Sequence, residues 1–353
     1  MTSVTPARSP LRSAATRRAA GASRRFALLI AAAAITILVC GVGGLALGSS
    51  EIPVPVVIDA LTAYDPGNTS HVIVVHSRVP RAVLAILVGL ALGLAGAMMQ
   101  SITRNPLADP GLFAVNAGAA AAVVTAIAVF GILDPAGYVW FAFAGAAVAA
   151  VAVYLLGTAH RSAATPARMA LAGAAISVAV AAATDLVLLS NETLFFQFRY
   201  WSVGSLQGRG LDVAAMIAPF VAVGVVLSIL LVRPLNAMAM GDDIARGVGS
   251  RPALTRAGAA IAVVLLAGAA TAAAGPIAFV GLAAPHIVRM AVGGDHRFLL
   301  PGVLAVAPAF LLLADVLGRW IVAPAELQTG IAAAILGGPI FVALVRSRRL
   351  AAL

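Results

Sequence analysis

Few residues in this 353-residue chain could do chemistry, and what they lack excludes a good deal. The histidines, His71, His76, His160, His286 and His296, are scattered, with no metal-ligand spacing, so direct coordination of a bare ion is not expected. Cys40 is the single cysteine, so no internal disulfide can form and it reads as a small buried hydrophobe. There is no G-x-S-x-G elbow, no H-E-x-x-H pair and no recognisable carboxylate pair, which leaves catalysis without a foothold. All 23 basic residues are arginine. A P-loop needs a lysine to reach the β- and γ-phosphates, so no ordinary ATP site fits here. Any ATP hydrolysis is expected on another subunit.

Polar residues do gather at a few places. In "MMQSITRNPLADPGLFAVNAGAA" (98–120), Gln100, Arg104, Asn105 and Asp109 sit with Pro106 and Pro110 between two apolar runs. The prolines disfavour helix at Asn105 and Asp109, which predicts a sharp turn whose side chains bond the freed backbone. In "LNAMAMGDDIARGVGSRP" (235–252), Gly241 precedes Asp242 and Asp243, which suit a helix N-terminus. Arg246 suits the other end, and Gly247 or Gly249 can cap it. Met240, Ile244 and Val248 then form one apolar stripe on a helix too short to be stable alone. That stripe either folds back on its own bundle or docks a partner. "NETLFFQFRYWSVGSLQGRG" (191–210) carries Arg199, Trp201 and Arg209. It reads as an interfacial aromatic belt or as a re-entrant segment at a pathway mouth, where Gly204, Ser205 and Gly208 permit non-helical backbone. Asp185 falls inside an apolar run and either faces a cavity or lies near an interface. Asp315 and Arg319, four apart, suit an intrahelical pair, and Arg319 could also point outward.

The elements that must place these residues are membrane helices. Hydrophobic residues make up 62% of the chain and charged ones 10%, too few charges to cover a water-facing surface. Apolar runs of about 20 residues, the length that crosses a bilayer core, recur and do not alternate as barrel strands would. The fold class is all-α and polytopic, with about ten transmembrane helices over 26–48, 79–102, 111–131, 138–158, 167–190, 212–232, 254–274, 276–292, 298–318 and 328–345. The eighth is interrupted by Gly275, Pro276 and Pro285. Residues 1–25 read as an Arg-rich cytoplasmic tail, 26–353 as the transmembrane domain, and 233–253 as a cytoplasmic loop. Residues 49–77 read as a long outer loop. With the N-terminus inside, inner loops collect most arginines, and outer ones hold Arg78, Arg81, Arg199, Arg209 and Arg319. Gly89, Gly93 and Ala97, with Gly96 beside them, make a face on which helix backbones can approach closely. The net charge of +10 lies at membrane edges, so no nucleic acid is implied.

"RVPRAVLAILVGLALGLAGAMMQSITRNPLADPGLFAVNAGAA" (78–120) resembles the FecCD family, the permease subunits of bacterial type II ABC importers for ferric siderophores and vitamin B12. So do "GPIAFVGLAAPHIVRMAVGGDHRFLLP" (275–301) and "ELQTGIAAAILGGPIFVALVR" (326–346). The resemblance runs from about residue 50 to the end. It implies the type II ABC importer permease fold in the cytoplasmic (inner) membrane, with both termini cytoplasmic. It implies transport of chelated iron rather than enzyme activity, with a B12 or haem importer as the alternative and a proton-coupled carrier using Asp185 as the rival class. Partners would be a second permease, identical or related, two cytoplasmic ATPase subunits, an extracytoplasmic siderophore-binding protein, and membrane lipid. No cofactor or metal belongs to this chain; ATP and Mg sit on the ATPase subunits. Met240, Gly241, Asp242, Asp243, Ile244, Arg246, Val248 and Gly249 match the family's coupling segment. Gln100, Asn105, Trp201, Gly204 and Ser205 are expected along the path or its gate. Arg319 matches an outer arginine that meets the binding protein. The family's second such arginine has no counterpart in 49–77, which leaves Arg199, Arg209 or a different partner permease for that role.

Overall fold

The computed structural model describes residues 10–158 and 166–346, and no strand occurs among them. Fifteen α-helices follow in order. They are α1 (Pro10–Ala46), α2 (Val54–Thr62), α3 (Thr69–Ile73), α4 (Val79–Thr103), α5 (Val115–Phe130), α6 (Pro135–Thr158), α7 (Pro166–Leu189), α8 (Glu192–Ser202), α9 (Leu211–Leu230), α10 (Val232–Ala239), α11 (Asp242–Gly247), α12 (Pro252–Ala274), α13 (Val280–Val292), α14 (His296–Ile321) and α15 (Thr329–Arg346). Seven helices among the described residues are long and apolar enough to cross a membrane, within α1, α3–α4, α6, α7, α9, α12 and α14. Three shorter apolar helices, α5, α13 and α15, complete ten that coincide with the ten predicted spans.

Several boundaries differ from the sequence expectation. Residues 10–25, expected as a tail, continue α1, because their alanine and arginine content favours helix; residues 1–9 lie outside the described residues. So do His160, Arg161, Arg348 and Arg349. The third and eighth spans begin late: Pro110–Phe113 is a 3-10 turn ending at Ala114, and residues 275–279 are not helical. Gly275-Pro276 cannot carry α12 onward. Residues 49–77, expected as a long outer loop, hold α2 and α3, and α3 runs on into α4 as one apolar helix over Thr69–Thr103, so the second span begins ten residues early. The apolar residues Ile52, Val57, Ala60 and Val74 make a small cluster of their own. A π-turn over Val74–Arg78 joins α3 to α4 just before Pro80, where the regular ladder would lack a donor.

α4 lies at the centre, packed against α9, α12, α13 and α14. The small-residue face predicted on it is what makes the contact close. A Cβ placed on Gly93 would lie 2.2 Å from the Ala307 Cβ of α14, and one on Gly96 only 2.0 Å from the Gly281 carbonyl oxygen of α13. Only hydrogen fits at these positions, so α4 meets the α13 backbone at Gly96 and small α14 side chains at Gly93, which is how packing holds helices where lipid supplies no hydrophobic drive.

Gly96→Ala is expected to lower stability by about 1–3 kcal/mol, the cost of overpacking a rigid contact. Gly43→Ala, where an added Cβ would meet nothing within 4 Å, should be close to neutral. Thermal unfolding in detergent would compare them, and equal midpoints would contradict the close-approach account.

Candidate functional site

Polar residues concentrate at the two ends of the bundle and in one break between them. At the end that holds α10 and α11, the predicted turn after α4 is present. Arg104 caps α4 in the left-handed conformation, and the Asn105 Oδ1 accepts from Leu107 N–H at 3.0 Å. The Asp109 Oδ1 accepts from Gly111 N–H at 2.8 Å. Beside this turn is a cavity of about 190 Å³ lined by Gln100, Ser101, Arg104, Asn105, Arg289 and His296 among others. Gln100 ties α4 to α13 twice: its amide donates to the Gly281 carbonyl at 3.0 Å, and its oxygen accepts from Arg289.

α11 forms where the sequence placed it. Gly241 stands before it at φ 112°, a backbone angle that suits glycine, and Arg246 pairs with Asp243 at 2.7 Å. Gly249 also takes a positive φ just beyond the helix. Met240, Ile244 and Val248 are all exposed, more than half of each surface being open, so the stripe does not fold back on the bundle. The polar side of the same segment is tied down. Asp242 accepts from Arg104 at 2.5 Å and from Arg256 of α12 at 2.6 Å. The Arg256 hydrogen bond foremost, with the charges of both arginines, holds the Asp242 carboxyl below its usual range. Asn236 of α10 donates to Asp295 at 2.7 Å and faces the His296 Nδ1 at 2.7 Å, while the His296 Nε2 faces the Ser101 hydroxyl of α4 at 2.7 Å. α10 and α11 are therefore bonded to α4, α12 and α14, whose apolar stretches are the most buried of the long helices.

Sequence reasoning missed most of the opposite end. Asp315, fully buried on α14, accepts from Arg81 of α4 (Nε at 3.0 Å from both oxygens), from Arg319 at 2.9 Å and from the Thr329 hydroxyl at 2.7 Å. Arg81 also reaches Glu326 at 2.5 Å. Burial alone would raise the Glu326 carboxyl, but Arg81 outweighs it and holds the group below its usual range. The intrahelical Asp315–Arg319 pair is as expected. The outward reach of Arg319 is not: its guanidinium is buried, donating to the Gly44 carbonyl at 2.9 Å and the Leu47 carbonyl at 3.3 Å of the chain end of α1. An unneutralised Asp315 would be too costly inside the bundle, and Arg319 is drawn in to meet it. The signal available in sequence was Asp315 itself, a carboxylate in a span that required partners.

The 191–210 segment is an aromatic helix followed by a buried non-helical stretch. α8 carries the aromatic residues, with Arg199 exposed over Phe196 and Tyr200. After it the chain leaves the helix inside the protein. Trp201 is buried with its indole N–H unpartnered, Gly204 takes φ 78°, and Ser205 N–H donates to the Ala274 carbonyl at 2.7 Å. The Gly204 carbonyl accepts from Gly330 N–H at 2.9 Å, so this break meets the end of α12 and the start of α15. Arg209 is a second correction. Expected at a surface, it is buried, bonded to the Tyr138 hydroxyl at 2.5 Å and stacked on that ring. Asp185 lies one turn from the end of α7 on its exposed face.

An all-helical bundle with buried helix breaks, and with a short tethered helix exposing an apolar stripe, defines a multi-pass membrane protein of the permease class. The sequence profile of the FecCD transport family matches residues 34–347, and the chain belongs to that family. It is similar to the ferric enterobactin transport system permease protein of Escherichia coli (strain K12), 40% identical over 95% of this chain and 98% of that one. It is also similar to the hemin transport system permease protein of Yersinia pestis, 37% identical over 77% of this chain and 82% of that one. A solved structure of an inward-facing metal-chelate type ABC transporter superposes with a TM-score of 0.77 at 26% identity, covering 90% of this chain and 98% of the other.

Two expectations follow from the charges. Arg81→Met should cost about 3–5 kcal/mol, since it leaves Asp315 and Glu326 short of their shared partner, whereas Arg246→Met, in an exposed pair, should stay within about 1 kcal/mol. Comparable losses in a detergent unfolding assay would refute the contrast. Because the folded Asp242 carboxyl titrates below its usual range, its tie stabilises α11 fully above that range and is lost as pH falls through the lowered value. The protection factors of the α11 amides, taken relative to the intrinsic exchange rate at each pH, should therefore fall on acidification, and in Asp242→Asn they should be low already at neutral pH.

Proposed function

We propose that this chain is the permease subunit of an ATP-binding-cassette importer that carries a ferric siderophore across the cytoplasmic membrane. The observation that carries this reading is the exposed Met240–Ile244–Val248 stripe on a segment whose other side is bonded to α4, α12 and α14. An apolar stripe at the aqueous edge of a bundle wants a protein partner. The tethers make that partner's movement a movement of the central helices. The partner in this reading is one of two cytoplasmic ATPase subunits, which hold the ATP and Mg.

Arg104, Arg233, Arg246, Arg251, Arg256 and Arg297 lie at the α10–α11 end, and the positive-inside rule favours placing that end, with both termini, in the cytoplasm. The path runs between this chain and a second permease, identical or related. The exposed face of α7, which carries Asp185, suits a polar neighbour better than lipid. Gln100 and Asn105 act at the inner gate, while Trp201, Gly204 and Ser205 line the re-entrant break. Of the three arginines considered for the siderophore-binding protein, Arg199 is the exposed one, and docking is assigned to it.

The relatives' iron chelates support a chelate carried whole. Haem is the second reading, favoured by the similarity to the hemin permease. Uptake of labelled ferric siderophore, haem and vitamin B12 by cells with and without the gene separates these cargoes; iron-chelate uptake untouched by deletion would sink the first reading. For the partner, Asp243→Arg or Ile244→Glu is expected to reduce ATPase co-purification several-fold while membrane insertion stays intact. Unchanged recovery would remove the docking role from α11.

A further inference from the structure

A groove of about 800 Å³ runs along the bundle between α4, α9 and α14. Leu94, Val225, Ile229, Leu300 and Leu304 line its length, and Arg233 and Arg297 stand at its α10–α11 end. Both arginines are exposed, and neither guanidinium makes a hydrogen bond or ion pair among the described residues. Asp295 is the nearby carboxylate, and it is already engaged by the Asn236 amide and by the Arg297 N–H.

The dimensions fit one leaflet. Two turns of helix separate Arg297 from Leu304 and slightly more separate Val225 from Arg233, about 10–12 Å of rise. Half of a hydrocarbon core of roughly 30 Å is about 15 Å. Charge thus sits where headgroups lie, and the apolar lining extends to about acyl-chain depth. A second copy of this chain would suit the groove poorly, because two-fold pairing would bring four guanidinium groups together with little acidic charge between them.

We propose that this groove binds one anionic phospholipid, its phosphate between Arg233 and Arg297 and an acyl chain along α9 and α14. The reading of the α10–α11 end as cytoplasmic identifies the leaflet that supplies the lipid; the groove's chemistry does not depend on it. Bound there, the lipid bridges the start of α10 to the start of α14, next to the Asn236–Asp295 bond, and steadies the base on which α11 stands.

The test uses the full chain in dodecyl maltoside, read by native mass spectrometry with added dioleoylphosphatidylglycerol, dioleoylphosphatidylcholine or inorganic phosphate. One phosphatidylglycerol should be retained in preference to phosphatidylcholine, and phosphate alone should neither be retained nor raise the melting temperature. Each arginine near an anionic headgroup contributes a factor of about five, so Arg233→Gln with Arg297→Gln should weaken phosphatidylglycerol binding by about tenfold or more. Val225→Trp, which fills the groove and keeps both arginines, should reduce retention as well. Undiminished retention in both variants, equal retention of phosphatidylcholine, protection by phosphate alone, or a disulfide linking two copies of Ile229→Cys would each overturn the proposal. ATPase co-purification fails or succeeds independently of these readings, so loss of the transport assignment and loss of the lipid site would be told apart.

Discussion

Backbone that leaves the helix inside an apolar layer must find its hydrogen bonds within the protein, because no water is there to supply them. Among the described residues, non-helical backbone after α8, the end of α12 and the start of α15 meet at one junction. The end of α12 offers the Ala274 carbonyl to Ser205 N–H, and the start of α15 offers Gly330 N–H to the Gly204 carbonyl. The approach is close enough to need glycine: a Cβ on Gly204 would lie 2.3 Å from the Pro276 oxygen, and one on Gly275 2.2 Å from the Trp201 oxygen. The non-helical backbone of one segment thus satisfies that of the next. α13 is short because residues 275–279 are spent on this junction. Its first turn, at Gly281, lies against Gly96 of α4, where the Gln100 amide can reach the Gly281 carbonyl.

The two ends of the bundle spend charge differently. Around Asp315 the ion pairs are buried and join α1, α4, α14 and α15; pulling any one partner away exposes an uncompensated charge in a dry interior. Around Asp242 the partners are partly exposed, so the bonds there can re-form with water at small cost. A bundle built this way is stiff at the Asp315 end and yielding at the Asp242 end. The same central helices, α4 and α14, run through both.

The number and order of the ten apolar helices were legible because hydrophobic length and small-residue spacing are local signals; Gly89, Gly93 and Gly96 marked the packing face of α4 without any knowledge of what it would meet. The position and polarity of α11 were legible for the same reason, since Gly241, two aspartates and Arg246 specify a short helix locally. What the sequence hid was pairing at long range. Arg81 and Asp315 are brought together by the α4–α14 contact, and nothing near either residue announces the other. Arg319 and Arg209 were misplaced by the same blindness. Counted as loop arginines they belong at a surface, but the Gly44 and Leu47 carbonyls hold Arg319 inside and the Tyr138 ring holds Arg209, all of them far away in sequence.

A helix of six residues has little stability of its own, so the position of α11 has to be set from outside it. Asp242, at its first turn, is shared between Arg104 at the end of α4 and Arg256 near the start of α12. Those two arginines can both reach it only while the ends of α4 and α12 keep their spacing. The same condition read in reverse makes α11 a probe of that spacing: a force on its apolar stripe strains one arginine or the other, and either route leads to a helix that packs directly on the centre of the bundle. Weak intrinsic structure is therefore what allows so small an element to couple a surface contact to the interior.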